Sequence, residues 1–118
     1  MRYMLLIYGD ETNRPNGSEA EQQAEMQKWF DYTEEMRAAG VSQLGDALQP
    51  TATATTVRDQ GGEPLVTDGP FAETKEQLGG FYLLDVADLD EAIKWAQKCP
   101  GARYGSIELR PIMEFPEA

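Results

Sequence analysis

The chain has 118 residues, of which 41% are hydrophobic and 26% charged, and this balance predicts one globular domain over residues 1–118. Ten basic against 21 acidic side chains give a formal net charge of −11, which disfavours direct binding to nucleic acid or to an anionic membrane surface. No secretion signal is recognisable, and no stretch reaches the roughly 18 apolar residues that span a bilayer, so we expect a cytoplasmic protein.

The first third of the chain predicts a strand, a helix and an irregular stretch. Tyr3–Tyr8 is a short run without helical period, and both of its faces are apolar. Ser18 opens the helix with an S-x-x-E capping motif, and Gly40 ends it. Residues Val41–Pro50 show no clear pattern. The predicted buried stripe of the helix consists of Met26, Trp29, Phe30, Thr33 and Met36.

Two short β segments follow and predict a hairpin arm. Thr53–Arg58 is rich in β-branched residues, and Pro64–Thr67 returns after the turn signal Gln60–Gly62. Because both segments are polar, we expect the arm to be partly exposed.

The last third of the chain predicts strand, helix and strand. Gly80–Val86 is again apolar on both faces, and Asp88 caps a second helix. Ser106–Met113 is the final strand, with Glu108 and Arg110 together on one of its faces. The predicted buried stripe of the second helix consists of Leu89, Ala92, Ile93 and Ala96.

The order β-α-β-β-α-β, with the middle connection enlarged into the arm, predicts an α+β, ferredoxin-like sheet with helices on one face. Tyr3–Tyr8 and Gly80–Val86 would then present apolar side chains on the other face as well. Large exposed apolar patches are uncommon on monomers. The simplest cover is the same sheet of a second copy, so we predict a twofold homodimer.

Several standard chemistries are excluded by residue type. The chain contains no histidine, which removes Ser-His-Asp and Cys-His catalysis. With Cys99 as its one cysteine, a zinc, copper or iron–sulfur site is not credible, and no metal is predicted. The double glycines at 61–62 and 79–80 match no nucleotide-binding pattern, so no cofactor is predicted.

Charged residues after the arm and on the last strand supply two candidate sites, each with two interpretations. Asp68 before Gly69 is either a turn residue or a carboxylate at a pocket mouth, with Lys75 or Arg110 as its counter-charge. Arg110 with Glu108 is either a solvent-facing pair or a two-pronged binder of a substrate carboxylate. In both cases the structural interpretation is the more common one.

The remaining candidates are uncharged side chains. Cys99, at the end of the second helix, lacks the electropositive setting that activates a thiol, and we expect an inert packed residue. Tyr8 ends an interior strand, where its hydroxyl could line a cleft, and the hydroxyl of Tyr104 could do the same. Packing in the core or at its rim is the more common role of such a tyrosine.

Five segments together resemble the DGPF-domain branch of the YCII-related family, between Arg2 and Ile112. They read MRYMLLIYGDE, ALQPTATATTVR, VTDGPFAETKEQLGGFYLLDV, DLDEAIKWAQKCP and ARYGSIELRPI. The resemblance implies a dimeric α/β barrel built from two such chains. We predict a small-molecule ligand near the DGPF loop, with Asp68 as the candidate catalytic residue. The candidate substrate-binding residues are Tyr8, Phe71, Lys75 and Arg110.

The resemblance leaves the function open between two classes. Some relatives are enzymes of aromatic breakdown with a proposed His–Asp pair, but the corresponding positions here are Lys28 or Trp29 and Cys99-Pro100, so that chemistry does not carry over. A cofactor-free enzyme or a binding protein is the first expectation. The alternative is an accessory or regulatory protein that works with an alternative sigma factor. An acidic chain would be suited to contact with a basic protein partner.

Overall fold

A computed structural model describes residues 1–13 and 17–116. The strands and helices, in chain order, are β1 Arg2–Gly9, α1 Glu19–Ala38, β2 Ser42–Ala47, β3 Thr55–Gln60, β4 Glu63–Asp68, β5 Gln77–Asp85, α2 Leu89–Lys98 and β6 Ser106–Pro111. The predicted α+β class is therefore confirmed, and so is the hairpin arm inserted before β5.

The strands form two separate sheets. The larger sheet has the order β2-β5-β1-β6, and every neighbouring pair in it is antiparallel. The smaller sheet is the hairpin of β3 and β4, which we call the ribbon. Both helices lie against one face of the larger sheet, because the buried core joins residues of α1 and α2 to alternate residues of β1 and β5.

The core lies between the helices and this face. Tyr3 and Leu5 of β1 point into it, and Leu84 is fully buried there with Leu5. Side chains alternate between the two faces of a strand, so every second residue of β1 and β5 joins the same core. The full set of buried apolar residues is Tyr3, Leu5, Tyr32, Met36, Val41, Leu84, Val86, Ala92 and Cys99.

The helix caps form as predicted. The Ser18 hydroxyl accepts a hydrogen bond from the Glu21 backbone N–H (3.2 Å), and the Asp88 carboxylate accepts one from the Glu91 N–H (2.9 Å). Each bond satisfies one of the N–H groups that have no partner inside the helix.

The buried stripe of α1 differs from the prediction. Met36 is buried and Trp29 packs against the core, but Met26 and Phe30 are 58% and 61% exposed. Tyr32, not in the predicted stripe, takes the central position. Because successive helical residues turn by about 100°, Phe30 lies roughly 200° from Tyr32 and cannot share its face.

The buried stripe of α2 also differs from the prediction in part. Ala92 is buried and Ala96 packs against the core, whereas Leu89 and Ile93 are exposed. The apolar residues of both helices therefore extend beyond the face that the single chain covers.

The stretch predicted to be irregular contains the edge strand β2. Its sequence, SQLGDA, is polar, which explains why no strand pattern was visible. Gly45 lies opposite Tyr82, and a Cβ there would meet the Tyr82 ring and lie 2.8 Å from the Phe81 carbonyl oxygen. The close passage of β2 beneath an aromatic ring thus requires glycine at this position.

Candidate functional site

The side of the larger sheet away from the helices is not covered by this chain, and we call it the open face. Strand register identifies the side chains at and around the centre of this face, because paired residues point to the same side. Its centre is apolar and its two edge strands carry charge. The residues are Met4, Leu6 and Tyr8 of β1, Phe81 and Leu83 of β5, Leu44 and Asp46 of β2, and Glu108 and Arg110 of β6.

A hydrogen-bonded chain of three side chains crosses one border of the open face. The Tyr8 hydroxyl donates to Glu108 Oε1 (3.1 Å), and Arg110 Nη2 donates to Glu108 Oε2 (2.7 Å). Leu6 faces Glu108 across the ladder, and Met4 faces Arg110. The polar chain therefore lies directly beside the apolar centre of the face.

Hydrogen bonding and burial determine the charge states of Tyr8, Glu108 and Arg110 near neutral pH. The hydrogen bond from Arg110 holds the pKa of Glu108 below its usual value, so Glu108 is an anion. Desolvation, and then the hydrogen bond to Glu108, raise the pKa of Tyr8, so the phenol stays neutral. Glu108 in turn raises the pKa of Arg110. A proton-transfer catalyst works best with a pKa near the working pH, which none of these groups has.

The backbone near Tyr8 is tightly held. The register between β1 and β5 shifts between Ile7 and Tyr8, which is where a bulge re-aims side chains. Gly105 packs against the carbonyl of Tyr8 so closely that a Cβ would clash with it. The position of the Tyr8 hydroxyl thus depends on a glycine in the segment before β6.

Three residues of the predicted site around the DGPF loop lie outside the larger sheet; they are Asp68, Phe71 and Lys75. Asp68 is the last residue of β4, opposite Thr55, and its side chain is exposed. Phe71 is 76% exposed, and Lys75 is also exposed. Among the described residues neither Lys75 nor Arg110 forms an ion pair with Asp68, since Arg110 pairs with Glu108.

The turn after Asp68 is closed by Gly69. Its N–H donates to the Ala54 carbonyl (2.7 Å), and its own carbonyl accepts from the Thr56 hydroxyl (2.7 Å). Gly69 has φ +95°, a conformation that only glycine adopts without strain. These bonds tie the two ends of the ribbon together.

Sequence reasoning missed two carboxylates that fix the loops beside the open face. Glu11 accepts from both the backbone N–H and the hydroxyl of Thr51 (2.9 and 2.8 Å). Glu76 accepts from the Ser106 hydroxyl (2.7 Å) and so holds the segment before β5 to β6. No local pattern signals these bonds, because each partner lies at least thirty residues away.

A hollow of about 430 Å³ lies on the helix side, between α1 and the segment after α2. Lys28 and Cys99-Pro100, the positions that the resemblance aligns with a His–Asp pair, both line it. Burial raises the pKa of the Cys99 thiol, in keeping with the expected inert residue. Tyr104, whose hydroxyl was expected to be able to line a cleft, also lines this hollow. The five other predicted site residues, Asp68, Tyr8, Phe71, Lys75 and Arg110, do not.

Residues 1–13 and 17–116 place no three His, Cys, Asp or Glu side chains together where a metal ion could be held. Neither do they contain a helix with the length and apolar character needed to cross a membrane.

The described residues form an α+β fold whose larger antiparallel sheet carries helices on one side. The model of the YCII-related domain matches residues 1–116, and the chain belongs to that family. It is 42% identical over 114 residues to the uncharacterized protein R00369 of Rhizobium meliloti (strain 1021), covering 95% of this chain and 92% of the relative. The narrower assignment to the DGPF branch stays a prediction.

A solved structure shares the fold. It is 5-chloro-2-hydroxyhydroquinone dehydrochlorinase (TftG) from Burkholderia phenoliruptrix AC1100, in complex with 2,5-dihydroxybenzoquinone. The TM-score is 0.55 at 14% identity, with 98% of this chain and 96% of that chain covered. At this identity the likeness concerns the fold.

Proposed function

We propose that the protein binds a small organic anion, a carboxylate or a phenolate, on the open face, with Arg110 as its main polar contact. The observation that carries this proposal is the hydrogen-bonded chain Tyr8–Glu108–Arg110 at the border of an apolar surface. A ligand pocket commonly combines an apolar lining with a few fixed polar groups. The ligand in the solved structure with a similar fold, 2,5-dihydroxybenzoquinone, combines a flat ring with acidic hydroxyl groups.

Arg110 can bind an anion without leaving Glu108. A guanidinium has five N–H donors, and Glu108 occupies a donor of one terminal nitrogen. Glu108 holds the guanidinium in place, and the neutral Tyr8 hydroxyl fixes the other oxygen of the same carboxylate. The ligand's ring would rest on Leu6 and Phe81, which face each other in the neighbouring strands.

The open face becomes a closed site when a second copy covers it. Met4, Leu6, Phe81 and Leu83 remain only half-buried in the single chain, although they lie in the central strands of the sheet. A twofold contact between two open faces, in the manner of a dimeric α/β barrel, would exclude water from them. It would also raise the strength of the Arg110–anion contact by lowering the local dielectric constant.

Binding fits this geometry better than catalysis. Glu108 is a weak base because its pKa is lowered, and Tyr8 is a weak acid because its pKa is raised. Asp68, the catalytic candidate from sequence, lies at the root of the ribbon on the exposed surface and keeps that role only as a prediction. The alternative role beside an alternative sigma factor gains no support from the relatives and likewise stays a prediction.

The test is a calorimetric titration of the protein with 2,5-dihydroxybenzoquinone and with benzoate. We expect wild type to bind at least one of them, and Arg110→Gln to lose about tenfold or more in affinity, because a charged hydrogen bond contributes roughly 1.5–3 kcal/mol. Arg58→Gln removes the same charge from the ribbon and should bind as wild type. Equal losses in the two variants, or no binding of either probe by wild type, would contradict the proposal.

A further inference from the structure

The ribbon extends from the molecule with little support from its own chain. Eleven of its twelve side chains are exposed, and the exception is Thr56, which is half-buried. A two-stranded hairpin alone is marginally stable in water, so a ribbon of this kind usually packs on another surface.

The dimensions of the molecule show that this surface is not the chain's own open face. The extents are 49 × 47 × 19 Å, and the shortest corresponds to about one sheet and one helix layer. A ribbon folded over the open face would add a third layer of roughly 10 Å. The radius of gyration, 16.7 Å, also exceeds the ~13–14 Å expected of a compact domain of this length. The ribbon therefore extends sideways.

The two faces of the ribbon differ in chemistry. On one face Val57 lies directly opposite Val66, and the two side chains are 63% and 60% exposed. On the other face Arg58 lies opposite Leu65, between polar pairs. We call the first the valine face. Asp68 belongs to it, because it pairs with Thr55, two residues from Val57.

The segment that leads into the ribbon is hydrogen-bonded to the border of the larger sheet. Just before the ribbon begins, the Leu48 N–H donates to the Gly79 carbonyl of β5 (2.9 Å), beside the end of the β2–β5 ladder. At its other end Gly69 bonds to Ala54. The root of the ribbon is thus fixed at the border of the larger sheet.

The area of the open face indicates what the ribbon contacts. Four strands about six residues long present roughly 400 Å² of sheet surface. A stable protein–protein contact buries about 800 Å² of accessible surface on each partner, so we expect such a contact to extend beyond the flat area of the open face. A ribbon that reaches across to the second copy would supply much of the difference.

We propose that the valine face of the ribbon packs on the second copy of this chain that covers the open face. Each protomer would then hold its partner with its ribbon, and Asp68 would be carried into the contact. This inference rests on the covering of the open face in the proposed function, but its test does not depend on any ligand.

The test compares Val66→Lys with Leu65→Lys by sedimentation equilibrium. The two substitutions place the same charge on adjacent residues of one strand, on opposite faces of the ribbon. We expect Val66→Lys to raise the dimer dissociation constant about tenfold or more, because a charge must be desolvated in the contact, and Leu65→Lys to leave it within about twofold. Val57→Lys, across the ladder, should match Val66→Lys. Far-ultraviolet circular dichroism checks that each variant folds.

The outcomes separate this inference from the proposed function. If all three variants dimerise as wild type does, the ribbon does not contact the partner, although the open faces still meet. If Leu65→Lys weakens the dimer as much as Val66→Lys, the valine face is the wrong surface. A monomeric wild type would overturn both the ribbon contact and the covering of the open face.

Discussion

The two faces of the larger sheet are built from the same strands, yet only one of them is completed within the chain. Leu5 and Leu84 point to the helices and are fully buried, whereas Leu6 and Leu83, their neighbours along the strands, point to the open face and remain half-buried. Both faces carry leucine, so hydrophobicity alone does not distinguish them. The difference is the cover: α1 and α2 cover one side, and no element of this chain covers the other among its described residues.

This contrast assigns different roles to the two faces. The helix side stabilises the chain, since its residues leave water when the single chain folds. In the proposed dimer, the open side leaves water only when the second copy covers it. Under the proposed function, its polar border, the hydrogen-bonded side chains of Tyr8, Glu108 and Arg110, selects the ligand. Substitutions at matched positions on the two faces can test this division.

The largest effect is expected on the helix side. Leu84→Ala should lower the free energy of unfolding by roughly 3 kcal/mol, because it removes a fully buried side chain and leaves a cavity. Urea denaturation measures this loss, and it should not vary with protein concentration at high dilution. A loss below about 1 kcal/mol would mean that the core does not depend on this leucine.

The adjacent leucine should behave differently. Leu83→Ala is expected to cost the isolated chain only about 1 kcal/mol, because its side chain is already half in contact with water. Its main effect should be a dimer dissociation constant raised about tenfold, measured by sedimentation equilibrium. If Leu83→Ala unfolds the chain as severely as Leu84→Ala and leaves association unchanged, the open face is not an interface.

The smallest effect concerns the pH dependence of the polar border. Because Arg110 lowers the pKa of Glu108 in the folded chain, Glu108 contributes stability that is present above its unfolded pKa and is lost as the pH falls through the folded value. A carboxyl-detected NMR titration should find the midpoint of Glu108 below 4.5. In Arg110→Gln the midpoint should rise toward that value. An identical midpoint in both proteins would show that the ion pair does not form in solution.

Local signals predicted much of the fold. The caps at Ser18 and Asp88 and the turn of the ribbon are decided by a few neighbouring residues, so one short stretch of sequence suffices for each. The two-sided apolar strands also predicted that a second surface is needed. The half-exposed residues of the open face agree with that expectation, although the partner itself is a proposal.

Features that depend on distant residues could not be predicted. Strand β2 has a polar sequence and forms because β5 offers it an edge to pair with. Tyr8 and Arg110 were both proposed as site residues, but their connection through Glu108 depends on the register of β1 with β6. Asp68 attracted attention because of its turn-forming neighbours, and those neighbours close the turn without its side chain.

The central claim is that a second copy of this chain covers the open face. Sedimentation velocity of the wild-type protein at micromolar concentration tests it most directly, with Leu83→Lys as the matched variant, because that substitution places a charge in the middle of the open face. The account predicts a dimer for wild type and a monomer, still folded, for the variant. A wild-type monomer, or a variant that remains as dimeric as wild type, would contradict it.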